Sequence, residues 1–442
     1  MKKTYLYMKK AHLYFILLAT TLATQVASAQ SNNRALAATI LNDARLDTIQ
    51  ARALRLLQGF SAGTSYGEVW IRDFNTFING SLQVHQKETV REMLLFFFRF
   101  QGKDGNIVDG FIPDAKADKS YMPDRFIYSD LAPGFAAHKN TVETDQESSL
   151  IQAIRKYIDA THDTSLLEER IGGITVIDRM QLALHFVMNK RRSEKYGLVT
   201  GATTVDWGDV QPDTTAIGVE INSETRWAID VYDNAMFHSA ILDFLAMQPS
   251  SFKADKNWKQ VAATLKVNIR KHLWKPAQQK YIPHIYLNGS PFSKSFNEDA
   301  LLYSGGSACA VLADLNTKEE IKNINAQLVK AASREPHATI GITVYPPYPL
   351  KEFPNMAPYV YQNAGDWTWF GGRFIQGLVR YAFIEDAYTE LNPMIDRVLK
   401  NGFHEWYDVR TGAPKGSGEF RGEAGVLYDV INMLKAWATT HK

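Results

Sequence analysis

The stretch from Asn297 to Ser333, NEDALLYSGGSACAVLADLNTKEEIKNINAQLVKAAS, holds two helical segments separated only by Leu315 and Asn316. The first, 297–314, centres on Ser307-Ala308-Cys309-Ala310-Val311, which reads as helix core. The second, 317–333, opens on Thr317 and Glu320. That is capping-box spacing, in which a threonine hydroxyl and a glutamate carboxylate satisfy free N–H groups reciprocally. Ile321, Ile324 and Leu328 then share one face. After the pair comes a long segment, 334–363, before the next helical pattern. A short link inside a helix pair and a long loop after it is the unit that sets the fold.

Apolar spacing, caps and breakers extend this unit along the chain. They predict twelve helices over 35–59, 73–83, 86–101, 142–161, 173–192, 228–248, 253–275, 297–314, 317–333, 364–384, 386–401 and 420–439. Ile174, Ile177, Met180, Leu184 and Val187 make a further stripe at helical spacing. No run of alternating strands is long enough for a β domain. The long connections are 60–72, 102–141, 193–227, 276–296, 334–363 and 402–419. Long loops in compact proteins usually carry function. If consecutive helices pack antiparallel, all six emerge at one end. Six helical hairpins in a ring give an all-α (α/α)6 toroid, with the loop-bearing end as the expected pocket.

The chain has 442 residues, and its 45% hydrophobic content supports a large packed core rather than disorder. Residues 1–29 have leader character: Lys2, Lys3, Lys9 and Lys10, an apolar run from Leu13 to Leu22, and Ala27-Ser28-Ala29. The run is too short and Thr-rich for a membrane anchor. Cleavage before Gln30 removes four lysines and no acid, so the formal charge falls from +2 to −2 over residues 30–442, read as one catalytic domain. The expected location is periplasmic or secreted, in a bacterium. The near balance of charge leaves no broad basic face for nucleic acid. Cys309 stands alone, so no internal disulfide can form.

The long loops set carboxylates beside aromatics: Glu68-Val69-Trp70-Ile71-Arg72-Asp73, Thr204-Val205-Asp206-Trp207-Gly208-Asp209, Tyr361-Gln362-Asn363-Ala364-Gly365-Asp366-Trp367, and Phe403-His404-Glu405-Trp406-Tyr407-Asp408. An indole packs on the apolar face of a sugar while a carboxylate accepts from its hydroxyls. Two carboxyl groups across such a pocket are the minimum for glycoside hydrolysis. Asp104-Gly105-Asn106 with Asp109 does not match a calcium-loop spacing. The histidines lack metal spacing, and no phosphate loop, dinucleotide fingerprint or serine elbow appears. No metal or cofactor is expected.

At these loops the sequence resembles the six-hairpin glycosidases, notably the neutral/alkaline invertases, the processing α-glucosidases and the trehalases. Trp70-Ile71-Arg72-Asp73 is similar to their W-x-R-D segment. Val142-Glu143-Thr144-Asp145 opens a helix ending Tyr157-Ile158-Asp159-Ala160-Thr161-His162-Asp163, like the family's Asp-led helix ending in Y-x-x-x-T-G-D. Tyr361 to Trp367 resembles Y-H-N-G-G-x-W, and Glu405 to Gly412 resembles E-Y-Y-D-x-x-T-G. The matches keep family order across most of the chain.

The resemblance implies an inverting mechanism with Glu405 as general base and Asp206 as general acid, Asp209 being the alternative acid. The acid loop lacks the invertases' I-D-R-R-M and the trehalases' G-W-D, which argues against sucrose as the substrate. Trp70, Arg72, Asp73, Asp145, Trp207, Asn363 and Trp367 are the expected sugar-binding residues. The leading expectation is an exo-acting hydrolase that removes an α-linked, glucose-like sugar from a short glycan. Two rivals stand beside it. One is an unsaturated-uronide hydrolase, which would need an Arg/Lys cluster beyond Arg72 and Arg373. The other is a catalytically degenerate glycan-binding barrel.

Overall fold

The computed structural model describes residues 31–118, 126–212 and 218–442; the expected leader at 1–29 lies outside the described residues. After helical residues 31–42 come α1 (Ala44–Leu56), α2 (Ile71–Val84), α3 (Lys87–Arg99) and α4 (Gln146–Thr161). Then follow α5 (Val176–Lys190), α6 (Val231–Met247), α7 (Trp258–His272) and α8 (Gly305–Leu312). The last four are α9 (Lys318–Ala332), α10 (Thr368–Arg380), α11 (Ile384–Asn401) and α12 (Arg421–Thr440).

The even-numbered helices form the inner ring. Each packs on the next, from α2 through α4, α6, α8 and α10 to α12, and α12 returns to α2. Five odd-numbered helices flank them: α1 lies on α12, α3 on α2 and α4, α5 on α4 and α6, α7 on α6, and α11 on α10. The fold is an (α/α)6 toroid. Burial follows from the position in the ring. Inner α6 buries most of its residues, whereas outer α1 buries only Leu46, Ile49 and Ala53. In α9 the Thr317–Glu320 capping box is formed, and Ile321, Ile324 and Leu328 are buried. Among the described residues no helix is long and apolar enough to cross a membrane.

Most predicted helices are shorter in the structure, as with 253–275 and 364–384, helical over Trp258–His272 and Thr368–Arg380, and two differ more. The 35–59 segment breaks at Asp43, whose side chain accepts from the Arg45 N–H and starts a new helix. The 297–314 segment is helical only from Gly305 to Leu312. Residues before it form a 3₁₀ turn, Glu298–Ala300, and a short strand, Leu302–Tyr303, paired with Val344–Tyr345. Part-buried polar pairing overrides helix periodicity there. Glu298 accepts from His284, Tyr286 and Tyr348 at 2.7 Å each.

The strands are short, and two groups matter for the pocket. β1 (Val69–Trp70), β2 (Gly110–Pro113) and β3 (Phe135–His138) form an antiparallel sheet that aligns Trp70 with Gly110 and Gly110 with His138. β4 (His404–Tyr407) and β5 (Pro414–Gly418) form a hairpin with a register shift between His404 and Trp406.

Candidate active site

A cavity of about 570 Å³ opens where the inner helices begin. Its wall takes Ile71, Arg72 and Asp73 from the first turn of α2, Glu143 just ahead of α4, Trp367 and Trp369 at the start of α10, and Phe420 beside α12. Five of the six long loops contribute, among them 60–72 with Tyr66, 102–141 with His138, 193–227 with Asp209, 334–363 with Gln362 and 402–419 with Glu405. Loop 276–296 adds nothing to the wall, because its His284 and Tyr286 turn to Glu298 instead.

The base candidate is fixed by its hairpin. Glu405 Oε1 accepts from the Tyr66 hydroxyl at 2.8 Å, and Oε2 accepts from the Ser417 N–H at 2.8 Å. Gly416 must be glycine for this. Its φ is +67°, and a Cβ there would lie 2.3 Å from Glu405 Oε2. Burial pushes the Glu405 carboxyl above its ordinary value, the Ser417 and Tyr66 donors pull it down, and the charge of Asp209 adds to the rise.

The two acid candidates part company. Asp206 is 1% exposed and is not on the cavity wall. Its two oxygens accept from the Gly305 and Gly306 N–H groups at 2.6 and 2.7 Å, at the first turn of α8. Free N–H groups and the helix dipole make that a favourable seat for a carboxylate. Burial pushes Asp206 up to about 8, against the pull of these two donors. A raised pKa suits an acid, but a general acid also needs reach to the proton acceptor, and Asp206 stands off the cavity wall. Asp209 is on the wall. Tyr361 donates to its Oδ2 at 3.2 Å, Asn140 donates to its backbone carbonyl at 3.0 Å, and Oδ1 has no protein partner.

The expected sugar-binding residues divide in the same way. Trp70, Arg72, Asp73, Trp207 and Trp367 line the cavity; Asp145 and Asn363 do not. Asp145 is fully buried and clamps Arg72 through Nε at 2.8 Å and Nη2 at 2.9 Å, with the Tyr232 hydroxyl on Oδ2 at 2.5 Å. It positions a wall residue. Asn363 is a loop clip, accepting from Tyr348 N–H at 2.8 Å and donating to the Tyr348 and Met356 carbonyls at 2.9 Å each. Burial pushes Asp73 up to about 7, opposed by Arg72, and its Oδ1 has no partner. Cys309, read as helix core, is buried in α8.

Several wall residues escaped sequence reading: Tyr66, Glu143, His138 and Gln362. Glu143 sits 3.2 Å from Arg72, and burial holds its carboxyl well above the usual range. His138 lies edge-on to Trp70 at 4.6 Å and pairs by charge with Asp109, its Nδ1 3.1 Å from Oδ1. Burial opposes its charge, but Asp109 and Glu68 outweigh that and hold it up at about 10. No sequence signal pointed to His138, since the contact depends on three strands distant along the chain. Glu143 and Gln362 did lie within quoted motifs.

Besides Asp109 Oδ1, which faces His138, five wall residues carry a buried polar atom without a protein partner: Trp70 Nε1, Asp73 Oδ1, Trp207 Nε1, Asp209 Oδ1 and Gln362 Nε2. Buried polar groups are rarely left unpaired. Three donors and two acceptors, set among indole rings, match the mixed donor and acceptor character of sugar hydroxyls.

The (α/α)6 fold is one that solved glycoside hydrolases share. Among solved structures, the chain superposes on the GH63 mannosylglycerate hydrolase from Thermus thermophilus in complex with glucose. That match has a TM-score of 0.62 at 16% identity, over 86% of this chain and 99% of that one. It also superposes on a rhamnosidase from Klebsiella oxytoca with rhamnose bound, with a TM-score of 0.58 at 13% identity, over 88% of this chain and 64% of that one. A GH78 rhamnosidase of Bacillus sp. GL1 gives 0.56 at 14%, over 88% of this chain and 34% of that one. At these identities the likeness establishes the fold. No family model and no curated protein matches the sequence.

Proposed function

We propose that the protein is an exo-acting glycoside hydrolase that removes a terminal, neutral, α-linked glucose-like sugar with inversion. Glu405 acts as general base on water and Asp209 as general acid toward the leaving oxygen. The observation that carries this reading is the pair of carboxylates on one wall, each held by a tyrosine hydroxyl, among five unpartnered polar atoms. The acid role thus moves from Asp206, the first expectation, to Asp209, its alternative. Tyr361 on Oδ2 leaves Asp209 Oδ1 for the transferable proton. Asp73, Trp70, Trp207 and Trp367 hold the terminal ring, and Arg72 is braced by Asp145.

A neutral sugar is preferred to a uronide. Arg72 is paired with Asp145 and Glu143, Lys139 bonds Glu147 at 2.8 Å, and Arg373 turns to Thr76. The presence of both carboxylates favours catalysis over mere glycan binding. We further propose export with cleavage before Gln30. The test of activity is a panel of α- and β-linked di- and oligosaccharides, reading released monosaccharide, with NMR of the first-formed anomer. Release of the inverted anomer supports the proposal. The retained anomer would refute the mechanism, and no release across the panel would refute the activity.

A further inference from the structure

The turn carrying Tyr361 and Gln362 is built under backbone strain. Tyr359, Tyr361 and Ala364 all have left-handed φ, at +66°, +53° and +71°, a region unfavourable to residues with a Cβ. Such strain persists only where surrounding contacts enforce it, and it clusters at functional sites. Here the contacts are explicit. Asn363 clips the loop at Tyr348 and Met356, and the Trp367 indole donates to the Tyr361 carbonyl at 3.1 Å. The turn delivers two side chains to Asp209: the Tyr361 hydroxyl to its carboxylate, and Gln362 Oε1 to its backbone N–H at 3.4 Å.

That second contact orients the Gln362 amide, since only the oxygen can accept from an N–H. The nitrogen is left over. Gln362 is 1% exposed and lines the cavity, and its Nε2 has no partner in the protein. A donor so placed has a fixed direction and nothing to donate to.

We infer that Gln362 is a substrate-contacting, specificity-determining residue whose Nε2 donates to a hydroxyl of the terminal sugar beside Asp209. This rests on the glycosidase reading. Because the same amide accepts from the Asp209 N–H, sugar recognition and acid placement share one side chain.

The test compares wild type, Gln362→Leu and Gln362→His on 4-nitrophenyl α-D-glucopyranoside and its 2-, 3-, 4- and 6-deoxy analogues. The α-D-mannopyranoside is assayed in parallel. Wild type should lose about tenfold or more in kcat/KM on the analogue lacking the contacted hydroxyl. Gln362→Leu should lose a similar factor on the parent glycoside and then no longer distinguish it from that analogue. Gln362→His, which restores a ring N–H donor, should recover part of the discrimination. A purely structural role would lower all substrates equally in Gln362→Leu, and that result overturns the inference. So does wild-type activity insensitive to every deoxygenation. Should wild type cleave no glycoside in the wider saccharide panel either, the glycosidase reading itself falls and takes this inference with it.

Discussion

Asp206 and Asp209 stand three residues apart, and the local backbone sends them to different tasks. Asp206 adopts a left-handed φ of +54° and turns its carboxylate onto Gly305 and Gly306, while Asp209 faces the cavity. Replacing each by Asn separates the two roles. Asp209→Asn should cut hydrolysis of alkyl glycosides by about 10²–10⁴-fold. It should spare much of the activity on 2,4-dinitrophenyl glycosides, whose leaving group needs no proton. Asp206→Asn turns an NH2 toward an N–H donor, so it should destabilise the fold by roughly 1–3 kcal/mol. It should lower both substrate types together. The ratio of kcat/KM for the two substrates checks this, and selective loss on alkyl glycosides in Asp206→Asn would return the acid role to Asp206. The sequence showed both carboxylates but not the choice between them, because one residue's handedness and a distant Gly-Gly pair decide it.

At the scale of single elements, the start of α8 and the β1–β2–β3 sheet are the sensitive places. A Cβ on Gly305 would lie 2.1 Å from Trp207 Cδ1 and 3.0 Å from Asp206 Oδ2. Gly305→Ala should therefore push the 204–209 loop off the helix. It should lower stability by about 1–3 kcal/mol, read by chemical denaturation, and reduce activity further than that loss alone explains. In the sheet, His138 rises from an ordinary 6.5 to about 10 because Asp109 and Glu68 stabilise its charged form against burial. A group raised on folding contributes its full stabilisation below the unfolded value and loses it as pH climbs through the folded one. The melting temperature should thus fall between about pH 6.5 and 10. The slope should be shallower in His138→Gln, and an unchanged slope would remove His138 as its source. None of this was legible in sequence. The helices were, because caps and apolar stripes are local, as at Thr317–Glu320. Helix limits failed where a part-buried polar hub, such as that around Glu298, replaced the stripe.

Across the whole molecule, the alternation of short links and long loops was enough to place six helices inside and the loops at one end. Periodicity reports which face is buried, and loop length reports which end is open. What it could not report is which loops reach the cavity: 276–296 is as long as a wall loop yet packs aside on Glu298. The expected leader adds a test at this scale. Expression of the full chain in a bacterium should yield a periplasmic or secreted product beginning at Gln30, read by N-terminal sequencing; an uncut cytoplasmic product would contradict export. The central claim is the hydrolysis of a glycosidic bond by the Asp209–Glu405 pair. Its most direct measurement is monosaccharide release from the α- and β-linked saccharide panel by wild type and by Glu405→Gln, with circular dichroism to verify the fold. Release by wild type is expected, with at least about a 10²-fold loss in a folded Glu405→Gln variant. Equal release by the two proteins, or none from any saccharide by wild type, would contradict it.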